Sequence, residues 1–397
     1  MKKKVLEKYI AICNSYKLQP KKQVVKYLEN TELEEKTIFD TEAVNLIFPG
    51  NEPNNFYEKI INEDLHPLLS SLLSHGQNIM IIDLSYNLLN QKVGVYLQKL
   101  FEFTDNIVAI NLRGNQINDV SVDKFIPSLL KKPYLRSLDV NTNLIGNIGI
   151  MKINELLYHN TDLEVLNIGH NHYDWDAIIA LTSTLKITNK SIKVLNIDDP
   201  AYKHIEQDFF THIGKMFLSN KSLDKLSLRH HKLRFEGCEI LFNHLKNNMV
   251  LSVIDLSANQ ICFQGVKHIS ELLEITHTLK SLNLACNQIH NQGAKILAQG
   301  IAANSSLVHL DITQNGIRND GLMRLAEGLS ENSSIKSFKV FKDNFWGVDS
   351  ILLFQEVLNS KEEFYPDFII YEDKVGDVQI AYNESSIENE EEYLVPN

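Results

Sequence analysis

No stretch of about 18 consecutive apolar residues occurs, so the sequence offers no candidate membrane helix. Cysteines number only four (Cys13, Cys238, Cys262 and Cys286), and no two have the close spacing of metal ligands. Buried or semi-exposed free thiols are expected, which fits a reducing compartment. Neither a glycine-rich phosphate loop nor H-E-x-x-H, G-x-S-x-G or Cys-x-x-Cys appears. The expectation is a non-enzyme without catalytic residues, metal or cofactor. The opening MKKKVLEKYIAIC is basic, but its apolar residues are spaced as in an amphipathic helix, without a secretory apolar core or cleavage site. The sequons at Asn189, Asn220, Asn304 and Asn332 therefore read as polar Asn-Ser turns rather than glycosylation sites.

Positive charge is also scarce overall, the formal net charge being −11. It is unevenly placed: residues 1–30 hold eight lysines against two glutamates, and residues 359–397 hold eleven acids against Lys361 and Lys374. A body without a net basic face argues against direct nucleic-acid binding. The acidic end reads as a solvated segment.

What is present is an apolar pattern repeated ten times. Copies open at Ile79, Ile107, Leu135, Leu163, Ile192, Leu223, Leu251, Leu279, Leu307 and Ile335, seven of the nine intervals being 28 residues. LKSLNLACN from Leu279 and LVHLDITQN from Leu307 display the form L-x-x-L-x-L-x-x-N. A fixed period of this kind marks a solenoid, and this form is the leucine-rich repeat. Leu279, Leu282 and Leu284 alternate as a short strand, and Ala294, Leu297 and Ile301 recur at helical spacing. Stacked units of this length predict an α/β ribonuclease-inhibitor-like horseshoe, with a concave parallel sheet and convex helices.

A buried asparagine after each strand can bond backbone groups of adjacent coils through both ends of its amide. That ladder reads Asn87, Asn115, Asn143, Asn171, Pro200, His231, Asn259, Asn287, Asn315 and Asp343. Pro200 cannot supply an amide, so Ile197–Gln207 is expected to be irregular, with Tyr202, His204 and Glu206 on a rim loop. His231 is expected to stand in structurally for the amide. The expected organisation is an N-terminal helical cap over 1–33, a degenerate capping repeat over 34–78 and repeats over 79–358. A hairpin-like cap over 359–383 and an acidic disordered tail over 384–397 complete it. Helices are expected over 3–16, 20–30 (with Pro20 in the first turn) and 58–73, and LIFPGN mimics a strand with its ladder asparagine at Asn51.

With no catalytic motif, function is expected on strand side chains that face the concave opening. The column Asp83, Asn111, Asp139, Asn167, Asn196, Ser227, Asp255, Asn283, Asp311 and Lys339 mostly follows the common repeat pattern. Departures carry more information. Lys225, Arg229 and His230 form a basic band, with Val165, Val194 and Val253 beside it and Asp198 and Asp199 on the preceding coil. Tyr86, Arg113, His170, His309 and Phe341 are further candidates, because aromatic and long side chains are enriched at binding hot spots.

Three irregular segments carry a closer likeness: Ser191 to Leu233 with its Pro200, FYPDFIIYEDKVGDVQIAY and AICNSYKLQPKKQVVKYLEN. On these the chain resembles the leucine-rich repeat-containing protein 34 family over most of residues 8–382; its SSIENEEEYLVPN ending departs from that family. The resemblance implies a monomeric interaction scaffold of nucleus, nucleolus and cytoplasm, with protein partners of nucleolar type, in stem or germ cells. The acidic tracts of nucleophosmin and nucleolin would suit the Lys225–Arg229–His230 band. Two alternatives are a GTPase-activating protein of the nuclear-transport type, with Arg113 as its early arginine, and a structural component of a ciliary or other assembly.

Overall fold

The computed structural model describes residues 2–29, 44–53, 58–72, 79–201, 208–374 and 376–383. The chain divides into two compact units, Met1–Thr184 with Pro200–Tyr202, and Leu185–Asp199 with Lys203–Asn397.

The first unit opens with helices α1 (Lys2–Ser15), α2 (Lys22–Glu29) and α3 (Asn62–Leu72) around strand β1 (Val44–Ile47). Strands β2 (Ile79–Asp83), β3 (Ala109–Asn111), β4 (Ser137–Asp139) and β5 (Val165–Asn167) come next, each leading to a helix. These are α4 (Val93–Phe103), α5 (Asp119–Leu129), α6 (Asn147–His159) and α7 (Trp175–Ile187). From β1 to β5 each strand pairs parallel with the next, in chain order. A strand can reach a parallel neighbour only through a crossover, and here each crossover is one helix.

The second unit repeats the scheme with β6 (Val194–Asn196), β7 (Lys225–Ser227), β8 (Val253–Asp255), β9 (Ser281–Asn283), β10 (His309–Asp311), β11 (Ser337–Lys339) and β12 (Tyr365–Pro366). Between them run α8 (Asp208–Ser219), α9 (Phe235–Leu245), α10 (Phe263–Leu273), α11 (His290–Ala303), α12 (Asn319–Glu331) and α13 (Val348–Ser360). These strands also pair parallel in chain order. An antiparallel hairpin, β13 (Phe368–Glu372) and β14 (Val378–Tyr382), ends the described chain.

Coil spacing is set by burial. Leu84, Leu112, Val140 and Ile168 in the first unit, and Leu228, Leu256, Leu284 and Ile312 in the second, are sealed from solvent. Each such side chain contributes roughly 1.5–3 kcal/mol relative to exposure. The asparagine ladder handles the polar backbone beside them. Asn143 donates from Nδ2 to the Leu112 and Val140 carbonyls, both at 3.0 Å, and its Oδ1 accepts from the Ile117 amide at 3.0 Å. Buried donors and acceptors of two coils are thereby satisfied by one side chain.

Several expectations need correction. In the last coil the ladder residue is Asn344, not Asp343: Asn344 donates to Ile312 and Val340 and accepts from Ile317, while Asp343 is exposed. One extra residue comes after Val340, because the Val340 and Phe341 amides both donate to the Asp367 carboxylate. Asn51 is exposed, since the Phe48 carbonyl ahead of it is met by Asn87 of the next coil. Pro20 precedes α2 instead of lying in its first turn, and α3 starts at Asn62, after Asp64 has accepted from the Ile61 amide. Cys286 is exposed, not buried or semi-exposed. The expected loop residues Tyr202, His204 and Glu206, and the acidic tail 384–397, lie outside the described residues.

His231 occupies its ladder place as an imidazole. It is fully buried, its Nε2 is 2.8 Å from the Ile197 carbonyl, and its ring stacks on Phe209 at 5.0 Å. Burial pushes its pKa down to about 4, which keeps the ring neutral at pH 7.

Candidate functional site

In each unit the alternation of a strand sends one set of side chains into the core and the other onto the opposite strand face. The inner members of that outward set are committed to structure. Asp83 accepts from the Ser85 amide at 2.9 Å and from Asn111 Nδ2 at 3.1 Å. Asp139 repeats this with Asn141 and Asn167, and Asp255 in the second unit with Ser257 and Asn283. Acid and amide alternate along the column so that like charges do not face each other on neighbouring strands. Burial raises Asp139 to about 6, and moves Asp311 upward as well. The column is a set of turn locks, in keeping with its common repeat pattern.

A second outward column precedes the ladder residue, where the backbone adopts positive φ. Tyr86, Thr142 and His170 occupy it in the first unit, with φ of 55°, 54° and 50°. His230, Ala258, Cys286, Gln314 and Asp343 do so in the second. Such a conformation disfavours side chains with a Cβ, and Gly114 is the one glycine of the first unit's set. A Cβ there would meet the Tyr86 ring at 2.5 Å. Gly114 was not singled out in the sequence, although a lone glycine in an otherwise side-chain-bearing column was a readable signal.

The structure brings Tyr86 and Arg113 together, the guanidinium carbon standing 5.7 Å from the ring centroid. His170 is half-buried two coils further along the same unit. In the second unit Lys225 and Arg229 are half-buried on the strand face and His230 is exposed beside them. Asp198, read as acid next to this band, is instead buried and accepts from Ser227 Oγ at 2.6 Å and from the Arg229 amide at 2.8 Å. Val253 is buried too, whereas Val165 and Val194 stay half-buried. His309 is half-buried; burial first, and Lys339 second, push its pKa down to about 4. Phe341 packs against Tyr382 of the hairpin at 5.9 Å.

A second polar ladder was missed. Asn189, Asn220, Asn304 and Asn332 sit at the helix-to-strand turns, and Asn304 accepts from the Ser306 and Leu307 amides while donating to the Leu273 carbonyl at 2.7 Å. Asn332 does the same one coil later, and these four asparagines are all buried.

The family model described as "Leucine Rich repeat" matches residues 277–298 and 303–326. The structure of the yeast Rad7–Elc1 complex is similar, with a TM-score of 0.52 at 13% identity over 77% of this chain and 78% of that one. The fold is an α/β leucine-rich-repeat solenoid. Two further similarities are shorter. The actin-binding site 2 of leiomodin-1 gives a TM-score of 0.32 at 15% identity over 45% of this chain and 86% of that one. The tropomodulin C-terminal domain of Caenorhabditis elegans gives 0.33 at 16% over 39% and 93%. No curated protein matches in sequence. Among the described residues, no helix of this leucine-rich-repeat chain is long and apolar enough to cross a membrane.

Proposed function

We propose that the chain is a non-enzymatic scaffold that binds a protein partner through the strand face of its repeats. The observation that carries this reading is the division of labour on that face. Acids and amides of the inner column lock turns, and Lys225, Arg229, Tyr86 and Arg113 are long side chains half-buried on the same kind of face. Long cationic and aromatic side chains on a rigid support are what a protein hot spot uses. On a chain of net charge −11, the Lys225–Arg229 pair favours an acidic partner segment. The Rad7 structure, solved as a complex with a protein, is compatible with this use of the fold.

The finer reading rests on the family resemblance. It takes the chain as a monomer of nucleus, nucleolus and cytoplasm with acidic nucleolar proteins as partners. It takes residues 79–358 as the repeats, 1–33 and 34–78 as N-terminal caps, and 359–383 as the C-terminal cap. Affinity capture with the Lys225→Glu, Arg229→Glu double variant tests the binding reading, with Arg324→Glu on a helix as control. Partners held by wild type and by the control are expected to fall about tenfold or more with the double variant. Equal recovery by all three would remove the reading.

A further inference from the structure

We propose that Arg113, backed by Tyr86, is an oxyanion clamp in the first unit, which grips a carboxylate or phosphorylated side chain on a partner segment. The proposal deepens the binding reading and rests on it.

The six arginines of the chain differ in how they are employed. Arg136 pairs with Asp162 and Glu164, and Arg324 pairs with Glu327. Arg234 donates from Nε to Gln260 at 2.7 Å. Arg318 is exposed, so water solvates it. Arg229 lies on the strand face of the second unit. Arg113, half-buried in the first unit, has an Nε that is buried and lacks a hydrogen-bond partner. Among the described residues its guanidinium joins no ion pair or hydrogen bond.

The nearby carboxylates do not supply the missing acceptor. Asp83 directs one oxygen to the Ser85 amide and the other to Asn111, and Asp139 directs its pair to the Asn141 amide and Asn167. Arg113 acts on Asp139 only through space, as a secondary influence that lowers its pKa against the dominant effect of burial. Each oxygen of the two carboxylates already accepts one hydrogen bond, and the cation sits near both without bonding to either. A half-buried guanidinium without an acceptor is costly, and an oxyanion that meets its accessible part lowers that cost.

The backing is built as well. The Arg113 carbonyl accepts from the Tyr86 amide at 2.6 Å, which fixes the two residues across adjacent coils. Gly114, at φ 67°, leaves space for the Tyr86 ring that any Cβ would take. With the ring against one side of the guanidinium, its nitrogens are left to an acceptor lying in the guanidinium plane. A planar fork of this kind matches the two oxygens of a carboxylate or phosphate.

The test uses the full chain labelled with nitrogen-15 at arginine, in which the Arg113 Nε–H signal is the one lost in Arg113→Lys. Three blocked tripeptides serve as probes at equal ionic strength: glycine flanking glutamate, phosphoserine or glutamine. The Arg113 signal is expected to shift saturably with one or both anionic probes and at least ~10-fold more weakly with the glutamine probe. Which anionic arm is stronger assigns the source. Tyr86→Leu and Gly114→Ala, which keep the arginine, are expected to weaken the shift several-fold. An Arg113 signal that no anionic probe moves, or that the glutamine probe moves equally, overturns the clamp. Because the probes need no partner, that failure is separate from failure of the capture experiment. A silent Arg113 with capture that still depends on Lys225 and Arg229 would leave the binding reading standing without the clamp.

Discussion

The amide of Asn143 meets backbone groups of two coils, and His231 shows how an imidazole serves in place of that amide. Its bond to the Ile197 carbonyl favours the charged ring, but complete burial beside Phe209 outweighs it and keeps the ring neutral. The folded pKa of about 4 lies below the ordinary histidine value of 6.5, so between these values the unfolded chain binds more protons. The stabilising contribution is full above pH 6.5 and is lost as pH falls towards 4. Asp139 and Asp367, both raised to about 6 by burial, act in the opposite sense between their unfolded values and pH 6, so comparison with a variant is needed. His231→Asn is expected to match wild type within about 1 kcal/mol at pH 7. At pH 4.5 it is expected to be more stable by up to about 3 kcal/mol, as denaturant titrations at both pH values would measure. A constant difference across that range would refute the assignment of a neutral buried imidazole.

Strands and helices were legible because leucine spacing reports which side chains face the core. The C-terminal closure was not. Counting from Ile335 places a ladder residue at Asp343, but the chain inserts one residue and uses Asn344. The cause is a carboxylate supplied from beyond the repeats: Asp367 takes the Val340 amide, whose counterpart Leu112 meets the Asp139 carbonyl of the next coil, and the Phe341 amide, whose counterpart Arg113 meets Asn111 Oδ1 of its own coil. No local pattern announces such a substitution. Asp367→Ala should expose both amides and cost about 1–3 kcal/mol in the last coil. Hydrogen exchange is expected to speed up across β11 and the hairpin while β7 to β9 keep their protection, because repeats contact chiefly their neighbours. Acceleration spread evenly over the second unit would contradict a local cap.

At the scale of the whole molecule, the repeat announced its own fold, and the candidate site was legible only in part. Tyr86 and Arg113 could be chosen as departures from the repeat, yet their pairing depends on Gly114 and on the direction that positive φ gives a side chain. Asp198 looked like surface acid and proved to be a buried turn lock, since its role is set by Ser227 one coil away. In the proposed reading the strand face combines acids and amides that lock turns with long cationic and aromatic side chains that meet a partner. Site-specific photo-crosslinking tests this division most directly, with the crosslinker placed singly at Lys225 on the strand face and at Lys295 on helix α11. The account predicts partner crosslinks from position 225 and none above background from position 295. Crosslinks from position 295 alone would show that the partner binds the helices, and would contradict it.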